Sequence, residues 1–150
     1  MIAAALVLLA GGFPTASPWD HAGAPGTADC TACHWDNEAQ ADSPRLTLVG
    51  LPDRFEPGER YTITVLLMEA GPSNGFQLAA SAGQFESINP TTEAGEHEVR
   101  SVMASGAWSV DWIAGGEREP VTFWLAVNDA NGDDSEFGDT ILLREFESLP

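Results

Sequence analysis

The chain has 150 residues, 43% of them hydrophobic, which is enough for one ordinary core and too many for a disordered polymer. Six arginines and no lysine stand against 23 acidic residues, giving a formal net charge of −17. That balance excludes a nucleic-acid binder, which needs clustered cations, and docking on anionic lipid by charge alone; it favours solubility first and steering toward a basic partner second.

Residues 2–13 (IAAALVLLAGGF) are apolar or glycine throughout. The run is short for a membrane span and suits the apolar region of a secretory signal or an N-terminal anchor. No basic residue precedes it, and the cleavage positions after Gly12 and Ala16 are mediocre. The expectation is an extracytoplasmic protein, periplasmic or at the cell surface. Residues 1–16 are its signal or anchor, and membrane association runs only through them. Residues 17–44, rich in Pro, Gly, Ala and Ser around Cys30 and His34, read as a linker. Residues 45–150 read as one domain.

From Arg45 onward the pattern is of short runs rich in β-branched and aromatic residues, separated by turn residues. Strands are predicted over 45–49, 60–69, 76–80, 84–88, 98–103, 108–113, 121–128 and 139–146. In the second, Tyr61, Ile63, Val65 and Leu67 share a face and Thr62 and Thr64 point away. In the sixth, Trp108, Val110 and Trp112 oppose Ser109 and Asp111. Residues 121–128 (VTFWLAVN) are nearly all apolar and predict a central strand buried on both sides. The turns GPSNG, AGGEREP and NDANGDDSEFGD supply the Gly, Asn and Asp that tight reversals need. With no long helical period, this is an all-β, Ig-like antiparallel sandwich of about seven or eight strands.

Both cysteines of the chain lie in Cys30-Thr-Ala-Cys33-His34. This spacing is that of c-type haem attachment: Cys30 and Cys33 add to the porphyrin vinyl groups and His34 is the proximal iron ligand. A zinc site wants a second ligand pair, a thioredoxin-like dithiol wants a βαβ setting, and a disulfide across so short a loop stabilises little. The distal iron position has four candidates, His21, His97, Met68 and Met103, or stays open; solvated loops account for both histidines and core packing for both methionines. Trp19 and Trp35 flank the motif, as ring covers or as ordinary surface residues. Farther on, Asp129, Asn131, Asp133 and Asp139 crowd a loop with Asp134 and Glu136. Alternating oxygens point to calcium, although the loop lacks the EF-hand pattern and a solvated turn explains the same residues.

The stretch from Gly23 onward resembles exported bacterial proteins that join a CxxCH leader to a reeler-like, choice-of-anchor β-sandwich. AGAPGTADCTACH resembles the leader. LTLVGLPDRFEPGERYTITVLL resembles the opening strands, NGFQLAA a Gly-Phe-Gln-Leu element, and EPVTFWLAVNDANGDDSEFGDTILL the closing strands with their acidic loop. The resemblance implies a reeler-like, extracytoplasmic sandwich with a haem carried at its front edge. It implies no known reaction.

Two functions follow as expectations. The first is a monohaem c-type cytochrome-like protein, not an enzyme, which transfers electrons while docked on a protein redox partner or a larger membrane redox or photosynthetic complex. The second is a non-catalytic accessory subunit. There the sandwich mediates protein–protein contact, and CTACH is a disulfide or a vestige.

Overall fold

The computed structural model describes residues 16–150; the apolar run at 2–13, and all of the expected signal or anchor at 1–16 except Ala16, lie outside the described residues. Nine strands form: β1 Leu46–Val49, β2 Arg60–Leu67, β3 Ser73–Ala80, β4 Gln84–Ser87, β5 Thr92–Ala94, β6 Glu98–Ser101, β7 Ala107–Ile113, β8 Val121–Ala130 and β9 Thr140–Ser148. They make a four-stranded sheet in the order β1-β2-β7-β4 and a five-stranded sheet in the order β5-β6-β3-β8-β9. Every strand pairing is antiparallel. The one strand the sequence pattern misses is β5 (Thr-Glu-Ala), which is too short to show an alternation.

The alternation read in the sequence builds the core. Ile63, Val65 and Leu67 of β2 and Trp108, Val110 and Trp112 of β7 are buried and face the other sheet's Phe76, Leu78, Phe123, Leu125 and Val127. Aromatic rings carry the contact between layers. Phe76 packs on Trp108 with centroids 4.9 Å apart, and Trp112 meets Phe123 at 5.0 Å and Phe55 at 5.6 Å. Burying rings of this size contributes strongly to stability; both Trp112 contacts are edge-on and the Phe76–Trp108 contact is tilted. The polar side of the β2–β7 pair is satisfied in register: Thr64 and Ser109 share a hydrogen bond of 2.8 Å, and Thr62 donates to Asp111 at 2.7 Å.

Strand registers place the β2–β3 turn, the β6–β7 loop and the β8–β9 loop at one end of the sandwich, because Leu66 pairs with Ala107 and Ser73 with Ala130. The β3–β4, β5–β6 and β7–β8 connections lie at the other end.

Residues 17–44 differ from the free linker that their composition predicts. They cross the outer face of the five-stranded sheet as a strap. Arg100 donates to the Ser17 carbonyl and lies 4.1 Å over the Trp19 ring. The Asp20 N–H reaches Glu98, the His21 N–H reaches Gln77, and Ala22 is buried. Gln40 then pairs in parallel with Leu142, and the Ser43 N–H donates to the Leu143 carbonyl, so the strap also caps the exposed edge of β9. The strap completes the burial of β8: Ala126 is enclosed, whereas Trp124 stays half-buried. No helix among the described residues is long and apolar enough to cross a membrane.

Candidate interaction site at the loop end

Residues 30–32 of the CTACH motif form one turn of 3-10 helix. Asp29 caps it, accepting from the Thr31 N–H at 2.7 Å and the Thr31 hydroxyl at 2.6 Å, as expected of an acidic N-cap. The His34 N–H closes the turn on the Cys30 carbonyl at 2.9 Å. The turn rests on β8. Two features that stand almost a hundred residues apart in sequence, the motif and the acidic loop, meet here.

Their junction is the Asp139 carboxylate, which is 1% exposed. It accepts the Asn131 N–H at 3.1 Å and the Asn128 side-chain amide at 3.2 Å, and it lies 2.8 Å from His34 Nδ1. The same Asn128 amide nitrogen is 3.2 Å from His34 Nε2. With the amide nitrogen also 3.4 Å from Nδ1, Asn128 packs over the imidazole ring, and the close polar contact of His34 is that of Nδ1 with Asp139. Asn128 Oδ1 is enclosed with no hydrogen-bond partner among the described residues. Farther along, the Gly138 N–H donates to Asp36 at 2.7 Å, and Asn37 donates to the Asp139 carbonyl at 3.0 Å. These bonds seat Trp35 edge-on to Phe137, with ring centroids 5.4 Å apart. Both rings face solvent, Trp35 being 65% exposed and Phe137 46%.

The thiols differ. Cys33 is exposed and Cys30 half-buried. Burial first, then the neighbouring Asp29 charge, pushes the Cys30 thiol up to about 12.

The other residues singled out by sequence do not join this cluster. His21 turns its Nδ1 to the Trp19 carbonyl at 2.7 Å, inside the strap. His97 contacts the Gly83 carbonyl at the far end of the five-stranded sheet. It sits beside Ala80, which pairs with Phe123, so it is about 16 Å along β8 from Asn128. Met68 follows β2 in the four-stranded sheet and Met103 lies in the β6–β7 loop, both largely in solvent. The four oxygen donors proposed for calcium are split. Asp129 turns away to pair with Arg45 at 2.6 Å and to accept from Gly71, while Asp139 serves the junction. Asn131 Oδ1 and Asp133 Oδ1 accept from backbone N–H groups two residues on, those of Asp133 and Ser135. These are ordinary turn bonds of Asn and Asp.

Sequence reasoning missed Asn128, Asp36, Asn37 and Phe137. Of these, Phe137 carried a usable signal as the one large apolar side chain in an otherwise polar loop.

No family model and no curated protein sequence matches the chain. Among solved structures it is similar to the Reelin-N domain of F-spondin. The TM-score is 0.60 and the identity 17%, over 79% of this chain and 95% of that one. Similarity to the human F-spondin reeler domain (fragment 1) gives a TM-score of 0.58 and 18% identity over 75% and 92% of the two chains. A conjugative transposon lipoprotein from Bacteroides eggerthii is more loosely similar, with a TM-score of 0.47 and 14% identity over 72% of this chain and 100% of that one. At these identities the likeness is one of fold, and the chain is a reeler-like β-sandwich.

The expectation of a c-type cytochrome that binds haem iron or another metal and transfers electrons is corrected. The similar folds are reeler domains rather than cytochromes. Among the described residues no group of three or more His, Cys, Asp and Glu side chains is placed to hold a metal ion.

Proposed function

We propose that this chain is a non-catalytic, extracytoplasmic interaction module, with the sandwich as a rigid body and its loop end as the working surface. The observation that carries this reading is the Trp35–Phe137 pair. Two large rings from separate segments are held in solvent by hydrogen bonds on either side of them. A sandwich whose core is already filled gains nothing by presenting them, whereas exposed aromatic rings on a rigid support serve as interface anchors. An architecture with loops gathered at its ends suits that use. Export is supported by the apolar run at 2–13.

In this role CTACH is a structural clip. His34 ties the strap to the β8–β9 loop, and Cys30 and Cys33 close as a disulfide in an oxidising compartment. So short a loop stiffens the turn and adds little to global stability.

Site-specific photo-crosslinking tests the reading. A benzophenone-bearing residue is placed at position 35 or, as control, at Glu119 in the connection at the opposite end. Irradiation in the native host should give a discrete protein adduct from position 35 and none from 119. The same background from both positions would remove the loop end as the docking surface.

A further inference from the structure

We infer that the segment seated on Trp35 and Phe137 is cationic, an Arg- or Lys-bearing loop or tail of another protein. This rests on the reading of the loop end as a docking surface and names the chemistry of its partner.

Charge is the first argument. The segments that carry the rings also carry the exposed acids Asp36, Glu38, Asp133, Asp134 and Glu136, and none of the chain's six arginines falls within residues 30–38 or 131–139. The arginine ion pairs lie elsewhere, at Arg45–Asp129, Arg60 with Glu86 and Asp111, and Arg100–Glu93. Covering this rim with an apolar or acidic partner desolvates carboxylates without a countercharge, which is strongly unfavourable. A second copy of the chain brings the same net charge of −17 and is disfavoured for that reason.

The second argument is how this chain treats two of its other surface aromatics. Trp19 lies under the Arg100 guanidinium at 4.1 Å, and Phe146 under that of Arg144 at 5.0 Å. Trp35 has the same kind of ring with no guanidinium over it among the described residues, and it is the most exposed large hydrophobic side chain there. An incoming cation meets both the ring face and the acid rim, a combination worth more than either contact alone once water is displaced.

The test uses the full chain and a hexa-arginine peptide as probe, with hexa-glutamate as control, in calorimetric titrations at about 20 mM and about 150 mM salt. Hexa-arginine should bind, more weakly at the higher salt, and hexa-glutamate should not. Trp35→Ala should weaken binding about fivefold. The triple change D133N/D134N/E136Q should weaken it about tenfold. E117Q/E119Q, which removes charge at the far end, should leave it within about twofold. Circular dichroism spectra superimposable on wild type establish that each variant is folded. Binding unchanged by Trp35→Ala, or weakened as much by E117Q/E119Q as by the loop changes, would reduce the effect to unspecific attraction and overturn the inference. Absence of hexa-arginine binding would overturn it too. In that case a persisting crosslink from position 35 leaves the docking surface standing with a non-cationic partner, and loss of both removes both.

Discussion

Asp139→Ala strikes the junction between the CTACH turn and the β8–β9 loop directly. The carboxylate is enclosed and receives the Asn131 N–H at 3.1 Å, the Asn128 amide at 3.2 Å and His34 Nδ1 at 2.8 Å. Its removal takes the acceptor from the Asn131 N–H and the Asn128 amide, at a cost of about 1–3 kcal/mol. The contact with His34 contributes less, about 0.5–1 kcal/mol, because the imidazole is 25% exposed and water screens it. The expected total is about 1.5–4 kcal/mol. Asp139→Asn keeps the volume and one acceptor, so its cost should be about 1–2 kcal/mol. Urea unfolding followed by far-ultraviolet circular dichroism reads the global loss. Hydrogen exchange with mass spectrometry reads the local one, which should be largest in peptides covering 30–38 and 131–139 and small in β2 and β7. An Asp139→Ala protein within about 0.5 kcal/mol of wild type, the range of an ordinary surface change, with unaltered exchange at 30–38, would mean that the clip does not form in solution.

Gly83→Ala places a Cβ against Trp112 Nε1 and 2.7 Å from the Ile113 carbonyl oxygen, at a backbone φ of +83°. Chemical unfolding should register a loss of about 2–4 kcal/mol, and a loss below about 1 kcal/mol would show that the Gly83–Trp112 approach is not as close as described. In reduced protein at about pH 8 a thiol with a pKa near 12 is only about 0.01% thiolate. Iodoacetamide should therefore label Cys33 well before Cys30; equal labelling rates in the folded protein would contradict the raised Cys30 pKa. Glu98 is held above the usual carboxylate range, chiefly by burial, against the opposing pull of its bond from the Asp20 N–H. A raised folded pKa contributes stability below the unfolded value, and that contribution fades as pH rises through the folded one. Glu98→Gln should thus gain on wild type as pH goes from about 4 to about 7. A difference that does not change with pH, or that runs the other way, would refute this.

The fold was legible where periodicity and burial coincide. Ile63, Val65 and Leu67 on one strand and Trp108, Val110 and Trp112 on the next declare an inner face before any coordinates, because a period of two has one way to meet a core. The strap was not legible. Pro, Gly, Ala and Ser in residues 17–29 describe a segment that no periodic force organises. What fixes it is long-range: the Arg100–Trp19 contact and the bonds that the Glu98 and Gln77 side chains accept from the Asp20 and His21 N–H groups. The site was half legible. His34 and Asp139 were both singled out, each for a separate metal, and nothing local to either reveals that one is the partner of the other. Asn128 closes the junction from within an apolar strand, where the sequence presents it only as a strand end.

The measurement closest to the central claim is the intact mass of the protein isolated from the extracytoplasmic fraction of its own host. An interaction module with a structural CTACH clip predicts the mass of the polypeptide less two hydrogens, the signature of a Cys30–Cys33 disulfide. A polypeptide carrying one covalently added porphyrin would contradict it.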